Sequence, residues 1–426
     1  MIRLLVLAFT TLALSAEVRT LTLQQAIDLA VRQNPDVIIA RLDEQKAQEN
    51  VRSAGDAFSP KIIVGSGLAY TVGFPMSVEG SAPSVFQARA IQSLYNKPRS
   101  YEVAAAKENA RGASIDTAAR REEIAHRTAL LYLNARRAAR GVEASRQLIA
   151  TSENLAGTVE ARVSEGRELP IEARRAALRL AQAKQKLGDF EAIRDQTEAA
   201  LAVVLGFGPD DRVRTTTDEP ITSVELPADE AASVSAALSN SKEVQRLESA
   251  MQAKGLDARA ARAARLPQID LIAQYGLFAK YNNYEEYFQK FERNNAQLGA
   301  SISIPIFPGR GVQARAAQAD IEINRLRAQT NAVRDRITLD TRKAWQDIRR
   351  AESSRELAKL DLEITREQVS VLLAQSQEGR ASVKQVEEAR ALETEKWLAL
   401  YDALHAVERA QIDLLRQTGT IIAAIR

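Results

Sequence analysis

The chain has 426 residues, with 58 basic and 55 acidic side chains, a net charge of +3 and no cysteine. Without cysteine there are no disulfides, thiolate metal sites, cysteine nucleophiles or lipid-anchoring cysteine. The charges are mixed with no Lys/Arg block, which argues against nucleic-acid binding, and 27% charged against 5% aromatic residues suits long Ala/Glu/Arg/Leu helices better than a compact enzyme.

The stretch "MIRLLVLAFTTLALSAE" carries Arg3, an apolar run from Leu4 to Leu14 and small residues at Ser15 and Ala16. This predicts a secretory signal peptide over 1–16. A short membrane anchor is the alternative, although the run is brief for a span. After it, no stretch of 18 apolar residues occurs, so any entry into a membrane falls to strands.

Residues 34–57 predict a first helix. "PKIIVGSGLAYTVGF" (60–74) then switches to period two, with Ile62, Val64, Leu68, Tyr70, Val72 and Phe74 on one face and mostly small or polar residues on the other. "SVFQARAIQSLY" (84–95) alternates Phe86, Ala88 and Ala90 with Gln87 and Arg89. From Arg99 to Glu165 run 67 residues without proline, rich in helix formers. Such a helix is about 100 Å long at 1.5 Å per residue. Glu165-Gly166-Arg167 interrupts it, and residues 171–205 predict the returning helix. The region 209–230, rich in proline and polar residues, reads as a linker.

The same order is then written again. "SKEVQRLESAMQAKGLDARAARAARLPQI" (241–269) answers 34–62, while Trp345 and Gly379 answer Tyr132 and Gly166. Strands are expected over 269–281 (Leu271 on the apolar face) and 297–307 (Leu298, Ala300, Ile302, Ile304 and Ile306). Between them, 278–295 gathers Phe278, Tyr281, Tyr284, Tyr287, Phe288 and Phe291, a cluster suited to a membrane interface or to a packed surface loop. A second uninterrupted helix covers Val312–Glu378, with Leu326, Val333, Ile337, Ala344, Ile348 and Ala351 stepping by 3, 4 or 7. Glu378-Gly379-Arg380 turns it back into a helix over 383–418. The expected organisation is therefore 1–16 signal peptide, 17–208 first helix-strand-strand-helix-helix repeat, 209–230 linker and 231–426 second repeat.

The four strands fit either a membrane sheet or an ordinary half-buried one. Four strands cannot close a barrel, and open edges in hydrocarbon leave N–H and C=O groups unpaired. If they lie in a membrane, several chains must share one barrel. His126 and His405 lack metal-ligand spacing, and no triad, P-loop or zinc motif occurs, so no catalytic, cofactor or metal site is expected.

These features resemble the TolC-like outer-membrane factors. "LTLQQAIDLAVRQNPDV" (21–37) is similar to their N-terminal signature, and "LGASISIPIFPGRGVQARAAQADIEINRL" (298–326) to their passage from strand into helix. The two Glu-Gly-Arg turns match their glycine-centred hairpins, and the resemblance runs from about residue 21 to 419. It implies a mainly α fold with a small β part, in which duplicated coiled-coil hairpins form a periplasmic tunnel. Four strands per chain would complete a 12-stranded barrel in a homotrimer. It further implies docking to a periplasmic adaptor and an inner-membrane pump, outer-membrane lipid contact, and no nucleic acid.

Carried over residue by residue, the resemblance makes Glu165, Gly166, Arg167, Glu378, Gly379 and Arg380 the hairpin tips and adaptor contacts. It makes Glu172, Gln385 and Glu388 the gate, with Gln385 lacking the charge the family has there. Ser376 and Ala381 stand where some relatives carry latching aromatic and basic residues, and Arg380 is the neighbour that can take over their pairing. Ile62, Val64, Leu68, Leu271, Ile302 and Ile304 become the lipid face. A different class remains open on the residues alone: an exported coiled-coil scaffold or adhesin with a soluble sheet.

Overall fold

The computed structural model describes residues 18–67, 84–216, 226–278, 292–307 and 309–425. The expected signal peptide, Leu68 and the rest of the first strand's apolar series, residues 217–225 of the linker and the aromatics from Tyr281 to Phe291 lie outside them.

In chain order the elements are β1 (Val18–Leu21), α1 (Leu23–Gln33), α2 (Pro35–Gly55), β2 (Lys61–Gly67), β3 (Ser84–Asn96), α3 (Lys97–Ser164), α4 (Pro170–Val204) and β4 (Arg212–Thr215). They continue as α5 (Glu230–Asn240), α6 (Lys242–Ala263), β5 (Gln268–Phe278), β6 (Asn294–Ser303), α7 (Arg310–Gln377), α8 (Val383–Thr418) and α9 (Ile421–Ala424). Helices α3 and α7 each have 68 residues. In α3 the one proline, Pro98, sits at the second position, where its missing N–H has no helical partner to lose. Neither helix is apolar enough to cross a membrane, nor is any other described helix.

Two compact units share these elements: residues 1–39, 118–242 and 334–426 form one, and 40–117 and 243–333 the other. The second unit holds one antiparallel sheet of order β2-β3-β5-β6. Its register aligns Val64 with Ala88, Ala88 with Tyr275 and Tyr275 with Ala296. One face therefore carries Ile62, Val64, Phe86, Leu271, Tyr275, Leu298 and Ile302. The other carries Gln87, Arg89, Asp270, Gln274, Gln297, Ser301 and Ser303, interrupted by Ile63, Ile91 and Ile272. Bulges in β3, at Ser84/Phe86 and Ser93/Tyr95, shift the pairing locally.

One expectation needs correcting. The last strand ends at Ser303, so Ile304 and Ile306 stand beyond the sheet. Pro305 follows Ile304 and has no N–H to give a ladder, which ends the strand. Below the sheet in the same unit, Thr117 Oγ1 donates to the Ala40 carbonyl (3.1 Å) and Ser249 Oγ to the Glu108 carbonyl (2.7 Å), tying α2 and α6 to α3.

The first unit is built round a core that includes Leu23, Ile27, Ile124, Leu133, Leu201, Leu205, Val213, Ile412, Leu415 and Ile421. Thr22 and Gln25 close a capping box at the start of α1, which aims Leu23, Ala26, Ile27 and Ala30 inward. The parallel pair β1–β4 lies against it, and the buried Tyr132 hydroxyl bridges the Leu21 carbonyl (3.1 Å) and Thr216 Oγ1 (2.9 Å). The Phe190 ring lies over Gly141, so close that a Cβ there would stand 2.4 Å from it. That contact brings α3 and α4 together where a larger residue would hold them apart.

Candidate functional site: helical tips and an apolar sheet face

Each long helix ends in the same backbone motif. Gly166 has φ +68° and Gly379 φ +74°, the left-handed region open to glycine. Gly166 N–H bonds the Val163 carbonyl (3.0 Å) and Arg167 N–H that of Arg162 (2.8 Å). Gly379 N–H bonds Ser376 (3.1 Å) and Arg380 N–H bonds Gln375 (2.8 Å). These are paired Schellman closures, which satisfy the last carbonyls of a helix as the chain reverses. At both tips the arginine turns back on its neighbour: Arg167 meets Glu165 at 3.1 Å and Arg380 meets Glu378 at 3.2 Å. The side chains are more than half exposed at both tips, so these pairs add little stability.

The returning helices begin differently. Pro170 opens α4 with no side-chain cap, its fixed φ suiting the first helical position. Ser382 caps α8, and Gln385 completes a capping box by accepting from the Ser382 N–H (2.8 Å). Gln385, placed at the gate by resemblance, thus has a local role in starting the helix. Glu172 and Glu388 also find partners within the chain. Glu172 accepts from Lys384 and from Arg175 (2.7 Å), and Glu388 accepts from Arg179 (2.7 Å). The bond from Lys384 holds the Glu172 carboxyl below its usual range. Two cross-hairpin pairs, Glu172–Lys384 and Arg179–Glu388, therefore stitch α4 to α8 just past the tips.

The spacing of charges had not pointed to Lys384 or Arg179, because their partners lie more than 200 residues away in sequence. The Ser382/Gln385 box is a short-range signal that the sequence does carry.

The second feature is the sheet. Ile62, Val64, Leu298 and Ile302 are each at least 60% exposed, with Leu298 at 78%. Ordinarily such side chains would be the interior of a protein. The face they form continues through Leu271 and Tyr275. The sheet ends in β2 on one side and β6 on the other, neither paired on its outer edge among the described residues. The arrangement offers an apolar surface and two hydrogen-bonding edges left unpaired among the described residues.

The fold is similar to those of solved bacterial channel proteins. CusC matches at 18% identity and a TM-score of 0.75, over 93% of this chain and 91% of that one. VceC, an outer membrane protein of Vibrio cholerae, matches at 16% identity and TM-score 0.73, covering 93% and 96%. The open-state MtrE outer membrane channel of Neisseria gonorrhoeae matches at 17% and 0.74, covering 93% and 88%. No curated protein sequence matches significantly. The family model described as "Outer membrane efflux protein" matches residues 26–207 and 233–420, most of the chain, and the chain belongs to that family.

Proposed function

We propose that the chain is one third of a passive outer-membrane duct for efflux, exported by the signal peptide at 1–16 and joined at its tips to a periplasmic adaptor and an inner-membrane pump. The observation that carries this reading is the four-stranded sheet with an exposed apolar face and two unpaired edges. In hydrocarbon each unpaired backbone group costs several kcal/mol, so the edges must be closed by other copies. The alternation of strand directions lets the β6 of one copy meet the β2 of the next antiparallel. Three copies supply twelve strands, the number the family resemblance leads one to expect.

In this assembly Ile62, Val64, Leu68, Leu271, Ile302 and Ile304 face lipid, with Ile304 at the barrel's rim beyond the strand. Glu165, Gly166, Arg167, Glu378, Gly379 and Arg380 present the adaptor contact. Glu172, Gln385 and Glu388 narrow the tip, and residues 17–208 and 231–426 act as two equivalent repeats. The duct moves substrate without a catalytic step. Mass measurement of the detergent-purified protein checks the closure argument. About three chains per particle is the expected result, and a clean monomer with intact strands overturns it.

A further inference from the structure

The chain has two histidines, 279 positions apart, and both lie on one seam between α3 and α8. His126 Nε2 stands 2.7 Å from Asp413 Oδ1, and His405 Nε2 stands 3.0 Å from Asn134 Oδ1. Arg137 Nε donates to Asp402 Oδ1 (2.7 Å), Arg136 pairs with Glu408, and Arg140 lies 5.3 Å from the centre of the Tyr401 ring. Moving forward along α3 from 126 to 134 moves backward along α8 from 413 to 405, so the contacts run in antiparallel register. Since α3 belongs to the first hairpin and α8 to the second, this seam fastens the two repeats together.

His405 is the vulnerable member. Its ring is half-buried, and Asn134 accepts from the Nε2 proton of the neutral form. Facing it are Arg136 and Arg137 from α3 and Arg409 and Asp402 from α8. Asp402 offsets part of this positive charge, but it is shared with Arg137, and Glu408 is paired with Arg136. A proton on His405 adds a charge to a half-buried place already dominated by arginines.

We propose that the seam is an acid-sensitive joint, in which a proton gained by His405 parts α3 from α8 and releases the second hairpin from the first. Burial, then Arg137 and Arg409, lower the imidazole from 6.5 to about 4 in the closed seam. A free imidazole titrates near 6.5. Between these values the parted state binds the proton and the closed one does not, so closure weakens as the pH falls from about 6.5 toward 4 and is regained as it rises. Allowing for the partial exposure of the ring, a change from pH 7.5 to 5 favours the parted seam by roughly tenfold. The inference concerns one chain and does not depend on the barrel.

Because the chain lacks cysteine, the double variant Glu160→Cys/Glu367→Cys carries the only thiols, both at exposed positions of α3 and α7. Spin labels there, in detergent-purified full-length protein diluted with unlabelled chains, report the distance between the hairpins. The long-distance population is expected to rise about tenfold between pH 7.5 and 5. His405→Gln, which keeps an amide donor toward Asn134 but cannot titrate, should hold the pH 7.5 distribution at both values, and His126→Gln should respond like the parent. An unchanging parent, or an equal response in His405→Gln, overturns the proposal. So does loss of the response in His126→Gln alone.

Discussion

At the scale of single residues, Gly379 shows how a tip is made. Nothing lies within 4 Å of where its Cβ would be, so the cost of replacing it comes from φ alone. A β-branched residue in the left-handed region loses about 1–2 kcal/mol, whereas asparagine visits that region more readily. Gly379→Val should therefore deform the tip and abolish export from cells, while Gly379→Asn retains it and both keep the trimer mass. Normal export by the valine variant would remove this hairpin from the adaptor contact. The positions of both tip glycines were legible in the sequence, since each ends a run of helix formers before another begins. The ion pairs beside them were not, because Lys384 and Arg179 acquire their partners only when two distant hairpins come together.

At the scale of elements, the helices were easier to foresee than the strands. Proline and glycine mark the ends of α3, α4, α7 and α8, and their observed limits lie within two residues of the expected ones. Strand β6 stops early because Pro305 cannot join a ladder, which a period-two reading of "SISIPIF" overlooked. Register is a pairing property and lay outside what one strand reveals, and it changes how the faces should be tested. Leu298 and Leu271 point to the apolar face, where arginine near a bilayer midplane costs about 2–4 kcal/mol. On the opposite face Gln274 stands across from Arg89, so arginine there would meet a like charge. Ser301 instead stands across from Asp270. Leu298→Arg and Leu271→Arg should fail to accumulate in outer membranes, and Ser301→Arg should accumulate like the parent. Equal accumulation of all three would overturn the assignment of inside and outside.

At the scale of the whole molecule, duplication gives one chain two tips, while the returning helices have diverged in how they begin and in which charges they carry. The acids expected at the gate do not stand alone: Glu172 is held by Lys384 and Arg175, and Glu388 by Arg179. In a trimer, three Glu388–Arg179 pairs would be arranged around the axis, nearly neutral in sum but with opposite charges at different positions. Removing one partner exposes the other. The Arg179 and Glu388 side chains are 48% and 35% exposed, so breaking the pair costs only about 0–1 kcal/mol and leaves the hairpins folded. If the pair lines the duct, its loss is read in ion passage instead. In planar bilayers under a salt gradient, Glu388→Ala channels should shift away from cation preference because three guanidinium groups are uncovered. Arg179→Ala channels should gain it, because three carboxylates are. Opposite shifts in reversal potential locate the pair at the constriction, since a charge far from the permeation path is screened within about 10 Å at 0.1 M salt. If neither variant moves the reversal potential, Glu388 is a strut between α4 and α8 and the constriction lies elsewhere.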